Sequence, residues 1–222
     1  MDDSPIDDDL EDTFIKEWNN DRQIFIRRLR NEIESPQQSF INNLKEALKH
    51  TTEDPNEVLF FIEDDDYYHP SYLPTMLERM QHNEIAGLAE ARYYNLRSRA
   101  FTVFPHTIHA SLSATALRGS RARSALNAAV LQCEGEKLIH VDLRFYDHAR
   151  ALRIPTELLP QLKTLQVGIK GMPGRKGLGI GHRPPPGWPI DGHNFDQLRS
   201  WLKEDICLYL PYINSEPNLL LQ

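Results

Sequence analysis

Helices alternating with strands along a chain of 222 residues predict an α/β fold, with some antiparallel strands in the second half. Two observations carry this: amphipathic stretches with apolar residues three and four apart, and the continuous β-branched and aromatic run Val58-Leu59-Phe60-Phe61-Ile62. A third is the alternation of Leu112, Ala114 and Ala116 with Ser and Thr, the period of a half-covered strand.

Taken in order, residues 10–18 are expected to be helical and Gln23-Ile24-Phe25-Ile26 a short strand. Phe40, Ile41, Leu44, Ala47 and Leu48 predict an amphipathic helix over 39–50. After a polar turn at Asp54-Pro55-Asn56, the run 58–62 reads as a strand covered on both faces. Pro70 precedes a helix over 72–81, with Leu73, Met76, Leu77 and Met80 as its face. Strands are expected over 88–96, 100–104 and 110–117, and helices over 121–132 and 141–152. Beyond Gln166, glycines at 168, 171, 174, 177, 179 and 181 punctuate a loop, Pro184-Pro185-Pro186-Gly187 follows, and a helix over 195–209 closes the chain.

Charged residues at 26% and hydrophobic residues at 40% are ordinary for a globular protein of one domain. A formal net charge of -7 argues against a general polyanion binder. Arg97, Arg99, Arg118, Arg121 and Arg123 still cluster in sequence, with solvated surface as their plainest explanation. Cys133 and Cys207 are too few for a disulfide scaffold or a cysteine zinc site, which fits a reducing cytoplasm. No apolar stretch approaches the roughly 20 residues that span a bilayer.

Glu63-Asp64-Asp65-Asp66 follows the apolar run directly. Four acids at the carboxyl end of a strand repel one another beside a desolvating core, so a positive partner is expected there. Hard oxygen donors suit Mg²⁺ or Mn²⁺, and in open α/β sheets ligands bind outside the carboxyl ends of the strands. The alternative is an acidic loop capping the helix that follows, a role that needs one acid and not four.

Residues 58–73, VLFFIEDDDYYHPSYL, resemble the strand, the Asp-x-Asp-type metal motif and the Pro-x-x-Leu helix start of family 2 glycosyltransferases with the GT-A fold. Asp2-Asp3-Ser4-Pro5 is similar to the Asp-Asp-x-Ser turn after that family's second strand, and Phe40-Ile41-Asn42-Asn43-Leu44 to its Asn-bearing helix. His140-Val141-Asp142-Leu143-Arg144-Phe145 is similar to the segment bearing the catalytic base of inverting members. The resemblance implies a mixed central sheet flanked by helices. It assigns 1–165 to a GT-A-like catalytic region and 166–222 to a Gly/Pro-rich donor loop and C-terminal helix of the same domain. Since the chain opens at the Asp-Asp-x-Ser turn, a first strand-helix unit of about 30 residues is expected to be lacking.

By the same resemblance Asp65 ligates Mn²⁺ or Mg²⁺ with help from Asp66, Asp64 lies near the ribose, Asp3 contacts the base, and Asp142 deprotonates the acceptor hydroxyl. Lys170 and Arg175, in a loop whose composition suits closure over phosphates, would neutralise the departing diphosphate, and His182 would add a metal ligand. A flexible linker is the other account of that loop. Tyr93, Tyr94, Phe101, Phe104 and Trp188 could stack on a sugar, and a strand core explains them equally well. His69, His106, His109, His140 and His193 show no metal spacing and receive no role. The implied activity is inverting sugar transfer from a nucleoside-diphosphate sugar to a hydroxyl of a glycan, a protein or a modified base. A carboxylate-metal nuclease, or a non-catalytic binding protein on the same fold, are the alternatives.

Overall fold

The computed structural model describes residues 36–52, 54–173, 177 and 179–213. The helix expected over 10–18, the strand at 23–26, the turn bearing Asp3, and Arg175 lie outside these residues. In chain order the elements are helix α1 (Pro36–Lys49), strands β1 (Val58–Phe60) and β2 (Tyr67–Tyr68), α2 (Tyr72–Arg79), β3 (Ile85–Leu88), β4 (Glu90–Asn95) and β5 (Phe101–Pro105). A 3₁₀ turn (Leu112–Ala114) leads into β6 (Thr115–Arg118), α3 (Gly119–Glu136), α4 (Val141–Ala151), β7 (Thr156–Leu159) and β8 (Gln166–Lys170). A second 3₁₀ turn (Ile180–His182), α5 (Asp196–Leu202), a third 3₁₀ turn (Lys203–Leu208) and α6 (Leu210–Ile213) follow.

Among the described residues the strands form two mixed sheets. The first runs β1-β6-β3-β7, with β6 antiparallel to β1 and β3, and β7 parallel to β3. The second runs β2-β8-β4-β5, with β8 antiparallel to β2, and β4 parallel to β8 and antiparallel to β5. The single strand expected over 88–96 is therefore two. Only Ala89 separates β3 from β4, donating its N–H to Leu159 O and accepting from His106 N–H, so one extended run leaves the first sheet and enters the second.

Period-2 alternation divides the first sheet's faces. Ile85 and Leu117 pack with Ile41 and Leu44 of α1, the Ala122, Ala125, Leu126, Ala129, Val130, Cys133 stripe of α3, and Phe145 and Ala149 of α4. Ala86, Leu88 and Ala116 face the other way, onto Tyr72, Met76 and Met80. The buried stripe of α2 is thus i, i+4, i+8, while Leu73 and Leu77, expected in that stripe, are exposed. The α3 helix outruns its expected bounds because its apolar stripe continues to Cys133, and it stops where Lys137 turns left-handed, at φ 55.

Three further expectations are corrected. Residues 112–114 form a 3₁₀ turn, and Ser113 and Thr115 are as buried as their apolar neighbours, so the alternation did not mark the two faces of a strand. The closing helix breaks after Leu202, where Lys203 adopts φ 55, into α5, a 3₁₀ turn and α6. Strand β1 is half-buried along its length and not fully covered.

The largest departure concerns the glycine-rich stretch. Residues 166–170, expected to be loop, are the wholly buried strand β8, between β2 and β4. Val167 and Ile169 pack against Leu198, Leu202 and Ile206. The same alternation sends Gln166 and Lys170 to the opposite face, which meets the acidic turn between β1 and β2.

Candidate functional site

The acidic turn is held by strand β8. Asp66 is buried, and its two oxygens accept three bonds: Oδ1 from Ile169 N–H (3.1 Å) and Lys170 Nζ (2.7 Å), Oδ2 from Gln166 Nε2 (2.9 Å). All its partners donate, which is the pattern of an ionised carboxylate. Burial nevertheless pushes its carboxyl well above the ordinary carboxylate range, against the pull of Lys170, and the nearby charges of Glu63 and Asp65 add to the rise. Tyr68 braces the turn from below, accepting Glu63 N–H and donating to Ser113 O.

Lys170 is the centre of the cluster. Its Nζ lies 2.7 Å from Glu63 Oε2, 3.3 Å from Asp65 Oδ1 and 2.7 Å from Asp66 Oδ1, so each N–H of the ammonium has a carboxylate. Burial opposes its charge, but Asp66, Glu63 and Asp65 together hold it protonated well above the usual lysine range. Side-chain exposure separates the three acids: 52% for Glu63, 12% for Asp65 and 1% for Asp66. Glu63 therefore faces solvent, Asp65 reaches it only at an edge, and Asp66 ties the turn to β8. The neighbouring Asp64 is exposed.

Glu63, Asp65 and Asp66 bring one oxygen each within 4.8 Å of one another, a set of hard donors that fits Mg²⁺ or Mn²⁺, and the ammonium already seated among them shows that the turn is arranged around positive charge. Among the described residues this is the only such group, and no carboxylate from another strand joins it. A two-metal nuclease site would need further acids from other strands, and none of the described residues supplies one.

His182 ends the second 3₁₀ turn, half-buried. Burial and Lys170 lower its basicity, and Asp65 and Glu63 partly restore it, which brings it within electrostatic reach of the cluster. The turn comes this close because residue 181 is glycine: a Cβ there would stand 2.9 Å from Lys170 Cγ and 3.3 Å from Tyr93 Cδ1. Asn95 anchors it, donating through Nδ2 to Gly181 O (2.8 Å) while its Oδ1 receives the N–H groups of Arg97 and Ser98.

Asp142 lies in the first turn of α4, half-buried, with Oδ1 accepting Leu143 N–H. No hydrogen bond links it to the acidic turn, but both act on Tyr93: burial pushes that phenol up to about 12, and Glu63, Asp66 and Asp142 all add to the rise. Tyr93 packs edge-on against Phe104, and Phe104 against Trp188, so a half-buried aromatic row extends from the cluster. Tyr94 and Phe101 belong instead to the core, the former donating to Asp191 Oδ2.

Sequence reasoning counted Glu63 in the acidic run but gave it no individual role, and it gave none to the histidine pair near Asp142. His106 and His109, three residues apart beyond β5, bring their ring centroids to 4.3 Å. Burial and His109 depress the His106 imidazole, and Asp142 raises it. The arginines clustered in sequence have mostly structural partners. Arg123 donates to the carbonyls of Thr52, Asp54 and Glu57 and to the Glu57 carboxylate, Arg121 to Glu84 and Leu152 O, and Arg118 to the carbonyls of Gln81 and Asn83.

A family model described as Glycosyl transferase family 2 matches residues 2–124, a span that includes the acidic turn and the strands around it. No curated protein matches the chain significantly. Among the described residues no helix is long and apolar enough to cross a membrane.

Proposed function

The chain belongs to glycosyltransferase family 2 and has that family's GT-A fold, and from this premise we propose that it transfers a hexose-like sugar from a nucleoside diphosphate to a hydroxyl, with inversion. The observation that carries the reading is the convergence of Glu63, Asp65 and Asp66 on one positive charge at the end of β1, inside the matched span. The donor's diphosphate end sits at this turn. Glu63 and Asp65, the less buried of the three acids, would hold Mn²⁺ or Mg²⁺ with His182, and Asp66 keeps the turn in place. A bound divalent ion supplies Lewis acidity that offsets the charge of the departing diphosphate.

Asp142 takes the acceptor hydroxyl's proton as that oxygen attacks the anomeric carbon. The carbon–oxygen bond to the diphosphate breaks, and its electron pair leaves with the phosphate, where Lys170 and Arg175 meet the charge. Asp64 lies toward the ribose and Asp3 toward the base. Tyr93, shifted by charges from both the acidic turn and Asp142, supports a path between donor and acceptor. The half-buried row Tyr93, Phe104 and Trp188 is a sugar-stacking surface beside it.

The test is a transfer assay with a panel of nucleotide sugars and acceptors, with and without Mn²⁺. Asp65→Asn and Asp142→Asn are each expected to lower turnover by about a hundredfold or more, with an unchanged circular-dichroism melting curve. Full turnover in either variant would remove that residue from the mechanism.

A further inference from the structure

The cation that neutralises the acidic turn belongs to the chain itself, and this bears on how a metal enters. Lys170 is not a loop lysine that swings freely. Its backbone lies in β8, in register with Asn95 of β4, Gly181 lies against its stem, and its side chain is 5% exposed. Its three N–H donors match three carboxylate oxygens, one on each of the three residues that converge as a candidate cation site. Two cations cannot share those oxygens at contact distance without strong repulsion.

We infer that Lys170 acts as a tethered counter-cation that keeps divalent metal away from the acidic turn until the donor binds, so that metal enters only together with a diphosphate, whose oxygens draw the ammonium away from Glu63 and Asp65. This rests on the transferase reading above and adds an order to it. Before the donor arrives, the lysine neutralises the turn. Once the donor is present, the same ammonium pairs with phosphate, and Glu63 and Asp65 are free for the metal. Asp66 keeps its bonds to Ile169 and Gln166 in both states, so the turn need not unfold for the exchange.

Binding of Mn²⁺ to the full chain, read from the electron paramagnetic resonance signal of the free ion, tests this without any turnover. The parent chain is expected to take up Mn²⁺ weakly alone and at least about tenfold more tightly when uridine, guanosine or adenosine diphosphate is added. Lys170→Met is expected to bind Mn²⁺ alone about tenfold more tightly than the parent, with little further gain from nucleotide. Because that change leaves Asp66 buried beside no cation, Asp66→Asn is also compared with Asp66→Asn combined with Lys170→Met, where the same gain is expected from the lysine change. Equal Mn²⁺ affinity with and without Lys170 in both backgrounds overturns the inference. A gain on removing Lys170, with no diphosphate altering Mn²⁺ uptake by the parent, overturns the coupling and the transferase reading with it, and leaves only the exclusion of metal by the lysine.

Discussion

The two sheets of this protein are stabilised in different ways. Around the first, the buried side chains are almost all apolar: alanines and Leu126 on α3, Ile85 and Leu117 on the sheet, Met76 and Met80 beneath it. Among the described residues the polar ones buried there are Ser39, Ser113 and Thr115, all small, with Thr115 Oγ1 donating to Ser111 O. Around the second sheet lie Asp66, Asn95, Gln161, Gln166, Lys170 and Asp191. Each makes directed bonds. Gln161 joins Glu90 O to the N–H groups of Leu165 and Gln166, and Asp191 receives Tyr94 Oη and the N–H groups of Gly192, Gln197 and Leu198 at the start of α5.

Apolar burial is non-directional and tolerates exchange among residues of similar volume, whereas a buried charge is stable only while its partner is present. The difference teaches where this chain keeps its chemistry. The half held by packing is a platform. The half held by polar pairs carries the Lys170–Asp66 cluster, because there charges are oriented in a desolvated setting where they act strongly.

The sharpest way to break this comparison is Lys170→Met, which strands Asp66 and should destabilise the fold by about 3–5 kcal/mol in urea denaturation. Combining it with Asp66→Asn should recover most of that loss. If the double variant is no more stable than the single, the pair is not the organising contact of the second half. Gly87→Ala is the matching change in the first half. Its new Cβ would collide with Tyr146 Oη and stand 2.6 Å from Ala110 Cβ, for a loss of about 1–3 kcal/mol, and salt should leave that loss unchanged because no charge is involved.

The smallest expected effect lies at the seam, at His106. Its imidazole is less basic in the fold than in the unfolded chain, so its contribution to stability is present above the ordinary histidine value of 6.5 and is lost as pH falls below it. The urea midpoint should therefore drop between about pH 7.5 and pH 5.5, and His106→Gln should flatten that slope. An unchanged slope would mean that the pair with His109 is open to water.

Much of the fold was legible because it depends on local period. The α1 helix, α3 and α4 follow from apolar spacing, and the strand before the acidic turn from its β-branched and aromatic run. The acidic turn itself was legible as charge without compensation, which demands a partner somewhere. Strand β8 was not: Gln166-Val167-Gly168-Ile169-Lys170 has a glycine at its centre and a lysine at its end, the marks of a loop in isolation. Burial between β2 and β4 outweighs that local preference. Leu73 and Leu77 were misread for a related reason, since apolar spacing identifies a helix but several overlapping stripes satisfy it. His106 and His109 have no signal short of the bend after β5 that brings their rings together.

The amino-acid sequence alone determined an α/β chain with an acid-rich turn after a strand and a family resemblance concentrated at that turn, because periodicity and charge density are properties of neighbours along the chain. Which cation answers that turn was decided only in three dimensions. Lys170 lies more than a hundred residues from Asp66, and only the pairing of β8 with β2 and β4 sets its ammonium among the carboxylates.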